Sequence, residues 1–171
     1  QKILLEITKE YPELVETEKE LKILLSKMIQ TNDTIQFKGF MDAVFKNKDN
    51  YLIVDWKTDK KIDKASEHRQ QLEVYRRAFS LQHNISLENI KVALCFIGLK
   101  RTINTGEIEY LFDDKQPAKS AFDTFTRKVS KILSWRENPE LFFTDFIEKK
   151  VNDDLWRAVV EQYRKENVTR D

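Results

Sequence analysis

Two charges interrupt an apolar run, Tyr51-Leu52-Ile53-Val54-Asp55-Trp56-Lys57-Thr58, and no other stretch constrains the fold so tightly. Eight residues of this composition predict a strand. Alternation then sets Asp55 and Lys57 on one face and Val54 and Trp56 on the other, toward a core. Just upstream, Ile35 to Phe45 reads as a second strand, and the polar stretch Lys46-Asn47-Lys48-Asp49-Asn50 reads as the turn between them. The two runs make a hairpin, and Asp42 lies on the partner strand. Three charged side chains therefore gather on one side of an apolar hairpin. Burying charge without a partner is costly, so the arrangement needs a physical reason.

A hard divalent cation supplies one. Mg²⁺ takes oxygen ligands, often one or two carboxylates together with waters and phosphate oxygens. Asp42 and Asp55 are the candidate ligands. Such an ion polarises a phosphate and eases the loss of a proton from water. Lys57 is placed to hold that water or to stabilise charge building on the phosphate. An Asp55–Lys57 salt bridge with a purely structural role remains the bland alternative, and such pairs often contribute little.

The rest of the chain fits a mixed α/β domain with a central mixed β-sheet flanked by helices. Ile3, Leu4 and Ile7 are spaced as in a short helix that Pro12 stops. Residues 15–30 are read as a strand, although Leu24 and Met28 also permit a helix. A helix is expected from about Glu67 to Gln82, and a buried strand from Ile90 to Gly98. Thr102 to Phe112 alternates about a turn at Asn104-Thr105-Gly106. A helix is expected from Gln116 to Trp135 with Pro117 near its first turn, and a last one from Asn152 or Asp153 to about Glu166.

Composition narrows the function. The formal net charge of +1 shows no global basic bias, so any nucleic-acid surface is a local patch. No apolar run approaches the roughly 20 residues of a membrane span, so no membrane partner is expected. The single cysteine, Cys95, lies in the apolar run Val92 to Ile97 and reads as a small buried hydrophobe. One cysteine can form neither an internal disulfide nor a cysteine metal site, and a reduced, cytoplasmic setting fits. The 171 residues suit a single domain, and the start at Gln1 reads as that of a C-terminal piece of a longer protein.

Three pieces in order carry a resemblance: Gly39-Phe40-Met41-Asp42, then Ile53-Val54-Asp55-Trp56-Lys57-Thr58, then Gln71-Leu72-Glu73-Val74-Tyr75. Together they resemble the RecB-like branch of the PD-(D/E)XK nucleases, whose pattern is a Gly-x-x-Asp strand, an Asp-x-Lys-Thr strand and a Gln-x-x-x-Tyr helix. The resemblance implies a restriction-endonuclease-like fold and a Mg²⁺- or Mn²⁺-dependent deoxyribonuclease, with an exonuclease expected. It implies Asp42 and Asp55 as metal ligands, the Trp56 backbone carbonyl as a third, and Lys57 as the catalytic lysine. Gln71 and Tyr75 resemble the pair that shapes the site and meets DNA, four apart on one helical face. Thr58 closes the motif. The relatives imply a DNA partner, single-stranded or with free ends, and a superfamily 1 helicase region of the same chain, acting in repair or recombination.

Two departures stand out. Many relatives add a metal-binding His upstream, but the two His here are His68 and His83, both after Asp42. Either that ligand lies before Gln1, or Glu6, Glu10 or Glu20 substitutes, Glu20 being the candidate carried forward. Iron–sulfur relatives need four cysteines, so no iron–sulfur cluster is expected. His68 reads as a surface histidine, and Gln71 and Tyr75 as ordinary helix residues in the blander reading. Two rival functions stay open: a catalytically inactive DNA-binding or docking module that keeps the nuclease fold, and a freestanding exonuclease.

Overall fold

A computed structural model describes residues 2–59, 61–101 and 108–142 of the chain. The elements run α1 (Lys2–Glu10), β1 (Glu13–Leu24), β2 (Gln36–Asn47), β3 (Asn50–Lys57), α2 (Ala65–His83), β4 (Ile90–Arg101), β5 (Ile108–Asp113) and α3 (Ala121–Glu137). The chain divides into two units, Gln1–Phe125 and Thr126–Asp171. The sheet belongs to the first. In the second, the Lys131 ammonium lies 5.2 Å from the centre of the Trp135 ring, which packs edge-on against Phe142.

The five strands form one sheet in sequence order. All neighbours are antiparallel except β3 and β4, which run parallel. A parallel pair cannot be closed by a tight turn, and α2 is the crossover that joins it. The β2–β3 hairpin turns at Lys48-Asp49, with Lys48 at φ 54°, and Asn47 opposite Asn50. The Asn47 side-chain amide also donates to the Glu10 carbonyl at 2.6 Å, tying the hairpin to the end of α1.

Each face of the sheet is covered by one helix. Met41, Val44, Ile53, Val92, Leu94 and Phe96 pack with Leu72, Ala78 and Phe79 of α2. Ala43, Phe45, Leu52, Val54 and Cys95 pack with Ile3 and Ile7 of α1. This division follows the period-2 alternation of β3 and β4, whose side chains are apolar on both faces, as in strands buried on both sides.

The expected α1 and the strand in residues 15–30 are present, the strand ending at Leu24. The third helix differs from expectation. It begins at Ala121 rather than Gln116, and Pro117 lies outside it. The reason is that Gln116 serves the sheet. Its side-chain oxygen accepts from the Val92 N–H at 3.2 Å, and its amide donates to the Val92 carbonyl at 3.0 Å. A side chain that pairs with a strand backbone holds its segment extended and delays the helix. The Asn104–Gly106 turn and the helix expected from Asn152 or Asp153 lie outside the described residues.

Candidate active site

The β2–β3 ladder stops one step short of the charges. Its last rung is Ala43 opposite Val54, while β3 continues beside β4 through Asp55, Trp56 and Lys57. The cause lies in β2. Met41 and Val44 both enter the core under α2, whereas Ala43 and Phe45 enter the core under α1. The alternation slips by one residue at Asp42. The slip sits opposite Glu18, which is bracketed by the Thr17–Ala43 and Lys19–Met41 rungs and holds φ at 51°. Such irregularities re-aim side chains and end strand pairing.

Asp42 fills the gap it creates. The Trp56 N–H, left without a β2 carbonyl, donates to Asp42 Oδ2 at 2.7 Å. Lys57 Nζ lies 2.6 Å from Asp55 Oδ2. Both of those side chains are largely buried, 17 % and 13 % exposed. Burial pushes the Asp55 carboxyl above its usual range; Lys57 pulls it back, and the adjacent Asp42 carboxylate pushes it further up. Asp42, Asp55 and Lys57 therefore meet in one place.

The wall of this place comes from α2. The Gln71 side-chain amide donates to the Tyr75 hydroxyl at 2.9 Å. Burial raises the Tyr75 phenol, the Gln71 bond lowers it, and the charges of Asp55, Lys57 and Asp42 all reach it. The ring sits against Gly39, where an added Cβ would stand 2.7 Å from Tyr75 Cε1. Gly39 and Asp42 thus act together: one strand supplies both the carboxylate and the hollow for the tyrosine. Thr58 is exposed just beyond β3, its backbone carbonyl close against Gly98 of β4.

Other expected positions fall elsewhere. Glu20 is exposed on β1 opposite Phe40, and is not brought to the two aspartates. Glu10 faces Lys91 at 3.6 Å, and Glu6 lies on α1, across the sheet from α2. No cluster of three or more His, Cys, Asp or Glu suited to a metal occurs among the described residues. His68, read as a surface histidine, is partly buried. Its side chain is 20 % exposed, its Nε2 is buried without a hydrogen bond, and Asp59 Oδ2 lies 3.4 Å away. Cys95 is buried, as its apolar run implied, and burial pushes its thiol up to about 12.

Arg69, not singled out from the sequence, forms an ion pair with Asp113 at the end of β5. The signal was present: Arg69 stands three residues before Leu72 and seven before Arg76, on the sheet-facing side of α2, where a cation requires an acid.

The residues present suit a hard divalent cation. Two carboxylates stand side by side in a largely buried place, and Asp55 Oδ2 is buried with no aligned hydrogen-bond donor despite the nearby ammonium. An oxygen left in that state is what a cation would satisfy.

Among the described residues no helix is long and apolar enough to cross a membrane. A comparison with curated proteins finds no match. The family model of the PD-(D/E)XK nuclease superfamily matches residues 2–163. That match spans nearly the whole chain and agrees with a mixed five-stranded sheet flanked by helices, so the chain belongs to the PD-(D/E)XK nuclease superfamily.

Proposed function

We propose that this chain is a metal-dependent deoxyribonuclease domain of the RecB-like branch, hydrolysing DNA phosphodiester bonds at the Asp42–Asp55–Lys57 centre. One observation carries the reading: the three side chains meet where β3 loses its pairing to β2. Asp42 and Asp55 would hold the cation. The Trp56 carbonyl would be the third donor, since extended backbone directs it to the same edge as the Trp56 N–H that meets Asp42. Mg²⁺ or Mn²⁺ suits these oxygen donors. When bound, the ion polarises a phosphate oxygen and makes water more acidic.

The protein's own groups do the rest. Lys57 places a positive charge where the phosphate gains negative charge, in surroundings that screen it less than water does. Tyr75 and Gln71 wall the site beside the carboxylates and orient the strand being cut. Thr58 holds the end of β3 against β4 through its backbone. The resemblance of the three motifs to the RecB-like branch supports a place behind a superfamily 1 helicase motor, with exonucleolytic action on single strands or DNA ends in repair or recombination.

A second reading is favoured by one observation. No third acidic or histidine ligand joins the pair among the described residues, as would suit a DNA-binding module without cleavage. A titration of labelled single-stranded DNA with Mg²⁺, Mn²⁺ and EDTA separates the two. Cleavage that appears with metal and stops with EDTA supports the nuclease. Binding without cleavage at any metal concentration overturns it in favour of the module.

A further inference from the structure

Beside the carboxylates, on the same face of the sheet, lies a polar cleft that the chemistry above leaves unused. It measures about 260 Å³ and is bounded by α2 and by the segment leading into α3. Arg69 and Lys115 contribute two cations to its lining. Ser66 and Ser120 contribute hydroxyls and Gln70 an amide, while the Thr124 hydroxyl donates to the Ser120 carbonyl at 3.3 Å. No carboxylate lines it among the described residues. Asp113 holds Arg69 in place and offsets its charge, while Lys115 is exposed and has no ion pair among the described residues.

The sheet register gives the separation. Asp55 pairs with Leu94, and Leu94 pairs with Asp113, the residue that anchors Arg69. Residues in one such row share a face. Two strand spacings place Asp113 about 10 Å from Asp55.

The geometry points to this cleft as a second phosphate site, which takes a backbone phosphodiester of the DNA strand away from the bond being cut. The inference rests on the nuclease reading for its ligand. Lys115 supplies the charge, and the hydroxyls and amide supply donors to the phosphate oxygens. The contact positions the strand and carries no sequence preference.

The test is binding of fluorescein-labelled dT12 to the full chain in EDTA, by anisotropy between 50 and 200 mM salt. EDTA keeps cleavage out of the measurement. Lys115→Gln is expected to weaken binding by roughly 3- to 10-fold and to reduce the slope of log affinity against log salt by about 0.7. Ser120→Glu, which adds a carboxylate to the lining, is expected to weaken binding further. Lys91→Gln serves as control, because Lys91 faces Glu10 of α1, on the far side of the sheet. Unchanged affinity and slope in Lys115→Gln overturn the cleft, whether or not Ser120→Glu folds. So does an equal loss in Lys91→Gln, or no dT12 binding by the unaltered chain. Loss of metal-dependent cleavage with the Lys115 effect intact sinks the nuclease reading and leaves the phosphate site standing.

Discussion

The two halves of β3 differ in how they are held. From Asn50 to Val54 the strand is paired with β2, and from Tyr51 onward it is also paired with β4; Leu52, Ile53 and Val54 are at most 2 % exposed. From Asp55 to Lys57 only β4 is paired, and the side chains toward α2 are charged. The first half is a core strand on any account. The second half keeps the geometry of a strand while giving up one of its neighbours. The charged side chains gather where a row of backbone partners is missing, and Asp42 covers the most exposed consequence by accepting the Trp56 N–H. The same strand is therefore a packing element at one end and an open, charged edge at the other.

This contrast can be broken from either end. The largest expected effect is on the open half. Asp55→Ala and Lys57→Ala should each lower Mn²⁺-dependent cleavage of a labelled oligonucleotide by at least about 10²–10³-fold. Circular dichroism should show that the fold is kept. Unchanged cleavage in both variants, prepared free of contaminating nuclease, defeats the assignment of the site.

In the closed half the cost is to stability instead. Ile53 is fully buried in the core under α2. Ile53→Ala should cost about 2–5 kcal/mol in denaturant unfolding, through lost burial and the cavity left behind. A cost below about 1 kcal/mol would mean that the strand is not packed as described.

Gly39→Ala tests how the wall depends on β2. The new methyl meets the Tyr75 ring at 2.7 Å, so the ring must move. Overpacking of this kind typically costs 1–3 kcal/mol. A shift of Tyr75 should also raise KM for DNA more than Ile53→Ala does. Tyr75→Phe, which keeps the ring and removes the Gln71 bond, should show the smaller share of that change.

The smallest effect concerns pH. The Asp55 carboxyl is raised above 3.8 mainly by burial. The folded chain then holds this proton to a higher pH than the unfolded chain does. The associated stability is full below about 3.8 and is lost as pH rises through the raised folded value. In EDTA, Asp55→Asn should therefore melt above the unaltered chain at neutral pH and close to it in acid. A variant that melts lower at neutral pH would show that the Lys57 pair outweighs burial.

Much of this was legible in the sequence, for physical reasons. Asp55 and Lys57 share a face because a strand has a period of two, and they stood out because charge is rare in an apolar strand. The hairpin followed from two β-rich runs flanking a polar turn. The slip at Asp42 was hidden, because Ile35 to Phe45 reads as one strand and nothing in its own sequence marks the residue that sits opposite Glu18. The role of Gly39 was hidden too, since the ring that fills its place comes from a helix 36 residues later. The start of α3 was misplaced because Gln116 favours a helix locally but is claimed by Val92 across the fold. Arg69 was missed because its acid, Asp113, comes from another element.

A side chain that stands in for a strand has one more consequence. The amide proton of Trp56 is guarded by Asp42 and by no β2 carbonyl, so its exchange with solvent follows the carboxylate's allegiance and not the opening of the sheet. That lone proton is a native probe of the centre. Its exchange rate in heavy water should respond to added Mg²⁺ while the amides of Ile53 and Val54, locked between their neighbours, stay silent.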